Sequence, residues 1–505
     1  MSEHILSLDL GTTAIKVALV DREGRLVATS TQEYLLLTPD TLSVELPVET
    51  YWKAFKEGVR DVLARSGVDA KSIRSMGISA QGETLILLDE AGAPIRNAIV
   101  WMDNRAQEEA EELNRHFTPQ ETYRVTGQVS IVPTWPASKV LWLKHREAGS
   151  FAKVRKILLI EDYFIYRMTG ALVCEGSLIC STVYWDINRK TWWQEMLKYL
   201  GIDEEMLPEI REPGVRVARI KDDVARELGL NPGVEICTGA LDQAAGAIGV
   251  GNIRKGLFSE NTGAALAICA TVDSSFMDPA RQMPCHYHGL PDMYMAHTFT
   301  TGGMVMKWFR DGFCAEELSI DRATGLDAYY LMDRQAERVP PGSDGLIMLP
   351  HLSGAMAPEA NPKAKGVFFG ATLKHTKPHF IRSIMEAIGF IVQRNIKAVE
   401  AMGIGIGEIR ALGGGSKSDI WNQIKANITG KVVVTTETSD AACLGAAILS
   451  GRAVGMFSDL EDAVARMVKL KKRFVPDPVH HAVYQGLFEK YVALYEALCP
   501  MFDRT

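Results

Sequence analysis

The sequence predicts an α/β protein built as two related domains. Three features carry that expectation. The chain has 505 residues, well beyond the roughly 250–300 at which a single hydrophobic core stops growing. Its first segment alternates strand patterns with a crossover-length helix, the signature of an α/β sheet. A second segment near the middle of the chain restarts that plan.

The elements follow in order. "ILSLDL" reads as a strand, turns at Gly11-Thr12-Thr13 into "AIKVALVD", and turns again at "REG" into "RLVATSTQEY". From Val48, the residues Trp52, Phe55, Val59, Val62 and Leu63 recur at helical spacing, and Gly67 is placed to end that helix. "IRSMGISA" is a further strand, followed by "TLILLDEAGAPI". At residues 256–273, "GLFSENTGAALAICATVD" repeats strand, small-residue turn, strand and acidic end. Similarity at one long spacing implies two related domains; a solenoid repeats every 20 to 50 residues or so. The boundary is placed at "VGNIRKG", giving domains of residues 1–250 and 251–505. Beyond it, "HFIRSIMEAIGFIVQRNIKAVEAMG" is a long amphipathic helix with Ile381, Ile384, Ile388, Ile391 and Val392 on one stripe.

Composition narrows the function. Hydrophobic content of 47% and charged content of 23% fit a globular protein. A net charge of −7 argues against a nucleic-acid partner, which calls for a basic face. Eight cysteines without a CxxC pair fit reduced, buried thiols in a cytoplasmic protein. The N-terminus lacks a signal-peptide pattern, and no run of about 18 apolar residues is present to cross a membrane.

Five stretches carry candidate chemistry. "DLGTTAIK" is a glycine- and threonine-rich turn between strands, able to offer N–H groups and hydroxyls to phosphate oxygens. There Asp9 is placed for a metal ion and Lys16 for phosphate charge; an ordinary hairpin turn is the alternative. The second copy, with Thr262 and Gly263, would let two turns grip one triphosphate. "LGGGSKSDIWNQIKANITG" puts three glycines before a helix, without the Walker A spacing; taken alone, it reads as a left-handed turn that holds no ligand. "GALDQAAGAIG" sets Asp242 among small residues, either as a helix N-cap or as an ionised carboxylate that accepts a hydroxyl proton. In "SAQGETLILLD", Gln81 and Glu83 alternate at a strand end and so point to one side, towards a polyol or towards solvent. "CHYH" at 285–288 has metal-site residue types but too few ligands for zinc, so a cleft-lining loop or polar surface turn is expected. Trp192-Trp193 reads as helix-packing core.

Taken together these motifs resemble the FGGY carbohydrate kinase family of the actin and hexokinase superfamily. The resemblance runs through "DLGTTAIKVALVD", "WMDNRA", "PASKVLWL", "EDYFIYRMTG", "GALDQAAGAIG", "SENTGAALA", "TTGGMVMKWFRD", "LPHLSGAMAPEANPKAKGVFFG", "GGGSKSDIWNQIKANITG" and "DAACLGAAILSG", ten stretches in family order. It implies two ribonuclease-H-like domains with the active site in the cleft between them, and ATP with magnesium. Asp242 then matches the catalytic base and Asp9 the acidic residue near the metal. Gly11, Thr12, Thr13, Lys16, Thr262, Gly263, Gly303, Gly415, Ser416 and Asp419 match the ATP side. Gln81, Glu83, Asp103, Thr134, Trp135 and Gln243 match the sugar side. "LPHLSGAMAPEANPKAKGVFFG" is most similar to the xylulokinase branch, with Ala355 and Met356 where that branch carries charge. Gly82-Glu83 departs from that branch's Met-His. Glu83 and Gln243 resemble glycerol kinases, whose arginine and tyrosine are here Gly82 and Thr134. Leu178 replaces the family's usual Asp or Asn. The resemblance implies phosphorylation of a ketose, first a pentulose such as xylulose, with glycerol, a tetrose such as erythrulose, or another polyol as alternatives. A non-catalytic, ATP-switched protein of the superfamily is the rival class. No nucleic-acid or membrane partner is expected, and a homodimer is left open.

Overall fold

The computed structural model describes residues 3–504. β1 (His4–Leu10) and β2 (Ala14–Asp21) form a hairpin, and β3 (Leu26–Glu33) continues it antiparallel. α1 (Val48–Ser66) then crosses over, ending at Gly67 with φ 63°, a left-handed stop that glycine adopts without strain. Of its expected face, Trp52, Phe55, Val59 and Val62 are fully buried and Leu63 is half-buried. The crossover returns as β4 (Ile73–Ala80), parallel to β1. After α2 (Pro136–Arg146) and α3 (Ile160–Thr169), the antiparallel pair β5 (Arg216–Arg219) and β6 (Glu235–Cys237) completes this half. α4 (Asp242–Gly249) closes it.

The second half repeats the plan. β7 (Leu257–Thr262) and β8 (Ala265–Val272) form a hairpin, joined by β9 (Cys285–Tyr287) and β10 (Tyr294–Thr301). α5 (Met304–Phe313) and α6 (Lys377–Ala401) lead to β11 (Glu408–Leu412), α7 (Asp419–Thr429), β12 (Val432–Thr436), α8 (Ala441–Ala453) and β13 (Leu470–Phe474). The first sheet runs β3-β2-β1-β4-β6-β5, and the second β10-β8-β7-β11-β12-β13, with β9 outside β10. Strand directions also agree: antiparallel, antiparallel, parallel, parallel, antiparallel in each. That shared order is the structural form of the repeat in the sequence.

α8 joins the halves. Its sequence, AACLGAAILSGRA, is small and apolar on every side, as suits a helix buried all round. It packs on α4 and on the first sheet. Ser7 Oγ donates to the Cys443 carbonyl at 2.5 Å, and the Ser75 and Ser450 hydroxyls meet at 3.1 Å. A β-carbon on Gly445 would fall inside the contact radius of the Ala245 carbonyl oxygen, and one on Gly249 inside that of Ala441. The helices therefore approach at backbone distance.

α6 begins at Lys377, two residues before the expected stretch, because Thr376 and Pro378 supply a start signal. Its five-residue apolar stripe is buried throughout. Two expectations need correction. Trp192 and Trp193 are buried, but one lies in a short strand and the other precedes the helix Gln194–Leu200. "CHYH" is not a surface turn: Cys285–Tyr287 is a strand, and Cys285 N–H donates to the Gly127 carbonyl at 2.8 Å. Its His286 ring sits 3.1 Å from Cys180 Sγ and 3.3 Å from Gln128 Nε2. All eight cysteines are free thiols. Among the described residues, no helix is long and apolar enough to cross a membrane.

Candidate active site

The site forms at the carboxyl ends of neighbouring parallel strands, where open α/β sheets place their ligands. Asp9, the penultimate residue of β1, lies beside Ser79 of β4, whose hydroxyl donates to it at 2.8 Å. The two-residue strand Ala240–Leu241 runs parallel to the end of β4 and delivers Asp242 to the first position of α4. Asp242 is therefore not the helix N-cap. It accepts the N–H of Gln243 at 2.7 Å and the Gln243 side-chain amide at 3.4 Å. Burial, then the neighbouring charge of Asp9 and that of Glu83, pushes its carboxyl up to about 7. The Asp9 carboxyl is also raised, by burial first, with Ser79 and Lys16 opposing.

Backbone N–H groups hold the approach to Asp242. Gly239 N–H donates to Glu161 at 2.7 Å. Leu241 N–H donates to Ser177 Oγ at 2.9 Å, and that hydroxyl donates to Glu175 at 2.8 Å. Both carboxylates are fully buried, and burial raises both pKa values, that of Glu175 to about 7. Sequence reasoning recognised the "EDYFIYRMTG" motif but gave these supports no role. Their only sequence signal is charge inside an apolar helix and strand.

Gln81 and Glu83 do not alternate along a strand, since β4 ends at Ala80 and Glu83 has φ 56°. Gln81 is buried, donates through Nε2 to the Gly11 carbonyl at 3.2 Å, and leaves Oε1 without a partner. The Glu83 carboxylate accepts the Ser181 hydroxyl. Beneath it, Lys139 of α2 donates to the carbonyls of Glu83, Val100 and Trp101 at 3.0–3.2 Å. Burial pushes that ammonium down to about 7. Trp101 itself was missed as an individual residue: its indole N–H donates to Thr12 Oγ1 at 2.8 Å, joining the sugar-side loop to the first phosphate turn. Asp103 is fully buried, and Arg105 and the Val44 amide engage its carboxylate, which anchors the loop that presents Trp101. Thr134 and Trp135 lie half-buried at the entry to α2, where the Trp135 indole donates to the Ser130 carbonyl at 3.2 Å.

On the phosphate side, Gly11 N–H closes the first turn onto the Ala14 carbonyl at 3.1 Å, with Thr13 exposed at its tip. Lys16 forms an ion pair with Asp440 at the start of α8. Thr262 is 1% exposed, and its hydroxyl donates to Glu260. Gly303 N–H donates to the Gly263 carbonyl at 2.8 Å, and a β-carbon on Gly415 would lie 2.7 Å from the Thr262 side chain. Ser416 Oγ donates to the Gly413 carbonyl at 2.8 Å. Asp419, the first residue of α7, is paired with Lys472 of β13 at 2.5 Å, so its charge is already matched.

The donor set suits magnesium. Asp9 and Asp242 are hard oxygen donors, and the charge of Asp9 helps raise the Asp242 carboxyl, an excess of negative charge that a divalent cation would relieve. Among the described residues, no three His, Cys, Asp or Glu side chains are arranged to hold a metal by themselves. Magnesium typically binds through one or two carboxylates plus substrate phosphates. Such an ion supplies charge neutralisation at the transferring phosphoryl group.

Paired sheets of one topology, a small-residue seam between them and acidic strand ends define a two-domain phosphotransferase of the actin and hexokinase type. Residues 4–249 match the N-terminal domain of the FGGY family of carbohydrate kinases, and residues 271–454 match its C-terminal domain. The chain belongs to the FGGY family of carbohydrate kinases. A gluconokinase of Bacillus subtilis is 29% identical over 499 residues, covering 99% of this chain and 96% of that protein. The solved xylulose kinase from Lactobacillus acidophilus superposes with a TM-score of 0.90 at 30% identity, covering 99% of each chain. The gluconate kinase of the same organism gives a TM-score of 0.89 at 30% identity, covering both chains entirely.

Proposed function

We propose that this ATP-dependent sugar kinase phosphorylates a neutral ketose or polyol, first among them a pentulose such as xylulose. Asp242 acts as the base for the sugar hydroxyl. Residues 1–250 carry the sugar contacts and the first phosphate turn, and residues 251–505 carry the nucleotide. The observation behind the substrate class is charge. Asp9, Glu83 and Asp242 are close enough to raise the pKa of Asp242 together. The two lysines on this side are engaged, Lys139 by three carbonyls and Lys16 by Asp440. An aldonate carboxylate about 5 Å from an ionised carboxylate meets about 3 kcal/mol of repulsion at an effective dielectric constant of about 20. A hydroxylated neutral substrate instead finds acceptors in Glu83, Asp242 and the unpaired Gln81 oxygen.

Positioning and charge neutralisation do most of the work in such a transfer. Asp242 holds the attacking hydroxyl and takes its proton, while a closed cleft keeps water from accepting the phosphoryl group. Coupled ADP release with D- and L-pentuloses, erythrulose, glycerol and gluconate tests the assignment. Turnover is expected with a neutral ketose or polyol, and a preference for gluconate sinks the substrate class. ADP release at one rate with or without sugar would favour the ATP-switched rival.

A base held near 7 also sets the pH dependence. The kcat/KM profile is expected to rise with pH through an apparent pKa of about 7, as Asp242 loses its proton. An acid limb lying wholly below pH 5 would contradict the environment described for this carboxyl.

A further inference from the structure

Behind the second phosphate turn lies a charge pair that no step of the transfer requires. Strand alternation sets Phe258, Glu260 and Thr262 on one face of β7. Glu260 and Lys425 of α7 form an ion pair there, both side chains fully buried. One Glu260 oxygen takes the Lys425 ammonium and the other accepts the Thr262 hydroxyl. Lys425 also lies 5.5 Å from the Trp421 ring centroid on the same helix.

Isolated buried ion pairs gain little or nothing in stability, because desolvating two charges offsets their attraction. Stability is therefore a weak reason for this pair, and its location supplies a stronger one. β7 ends in the Thr262–Gly263 turn, while α7 follows the Gly413–Gly415 turn. The turns touch: a β-carbon on Gly413 would press on Asn261 and lie 2.9 Å from the Thr262 carbonyl oxygen. The pair fixes β7 to α7 directly beneath that contact and holds the Thr262 hydroxyl inward.

We propose that Glu260 and Lys425 are positioning residues that keep the two nucleotide-side turns at one separation, with Thr262 as the link. This rests on the nucleotide binding at those turns. The pair then sets affinity for ATP and ADP, and leaves the sugar side untouched.

The test compares Glu260→Leu, Lys425→Met, the double variant and Thr262→Val, reading melting temperature, ADP binding by calorimetry, and KM for ATP and for sugar separately. Each single charge variant strands a buried charge and is expected to melt several degrees lower. The double variant removes both charges and regains most of that loss. Its ADP Kd and ATP KM nevertheless stay about tenfold high, as for one charge-assisted hydrogen bond lost. Thr262→Val matches it in ADP affinity, and sugar KM stays within about twofold. A double variant with wild-type ADP affinity overturns the proposal, as does a loss shared equally by sugar KM. If the wild-type protein itself binds no ADP, the nucleotide assignment of these turns falls, and the positioning role with it.

Discussion

Asp242→Asn is expected to lower kcat by about 10²- to 10⁴-fold, the usual contribution of a positioned general base, with ADP affinity unchanged. The amide keeps an oxygen for the Gln243 N–H but cannot accept the substrate proton. The same substitution should raise the melting temperature at pH 8. The Asp242 carboxyl titrates near 3.8 when unfolded and near 7 in the fold. Between those values the folded state binds more protons than the unfolded one, so its contribution to stability falls as pH rises from about 4 to about 7. Asparagine removes that penalty. The gain should disappear below pH 4, where both forms of the wild-type side chain are protonated. Calorimetric melting at pH 4 and pH 8, beside steady-state kinetics, checks both halves. Near-normal turnover defeats the catalytic role, and an equal melting shift at both pH values defeats the electrostatic account.

Loss of activity with gain of stability is a pattern of functional sites, where a group is held in an environment that opposes it. Sequence alone singles out Asp242 because it is a lone carboxylate among glycines and alanines, a local conflict visible without coordinates. The hairpin repeat was legible for a similar reason. Strand periodicity and small-residue turns are local signals, and they recur at residues 4–21 and 257–272 with the same strand pairing. What stayed hidden depends on contacts between distant segments. No local pattern says that Lys16 meets Asp440, 424 positions away, or that the Thr262 hydroxyl turns inward to Glu260. The contacts of Asp103 were hidden for that reason: no local pattern says that the Val44 amide, 59 positions away, donates to its carboxylate.

Gly445→Val tests the seam on which Asp242 depends. α8 crosses α4 with Gly445 against Ala245 and Gly249 against Ala441, backbone to backbone. A valine there cannot be absorbed by a rotamer change, since its β-carbon meets a carbonyl oxygen rather than the end of a flexible side chain. The helices must separate. Asp242 begins α4 only three residues before Ala245, so their separation moves the Asp242 carboxylate. A misplacement of about 1 Å is enough to reduce turnover by about 10²-fold. Overpacking alone costs typically 1–3 kcal/mol, and α8 also packs on β1 and β4 at Cys443 and Ser450. The expected result is a lower melting temperature together with a fall in kcat larger than any change in ADP affinity. Gly312→Ala near the C-terminal end of α5 is the control: no neighbouring atom lies within 4 Å of its added β-carbon, and replacing a glycine at such a compatible position should stabilise by roughly 0.4–1 kcal/mol without altering turnover. Wild-type melting and kinetics in Gly445→Val would show that the halves tolerate a wider seam, and that Asp242 is positioned by its own strand and the Glu161 and Ser177 contacts alone.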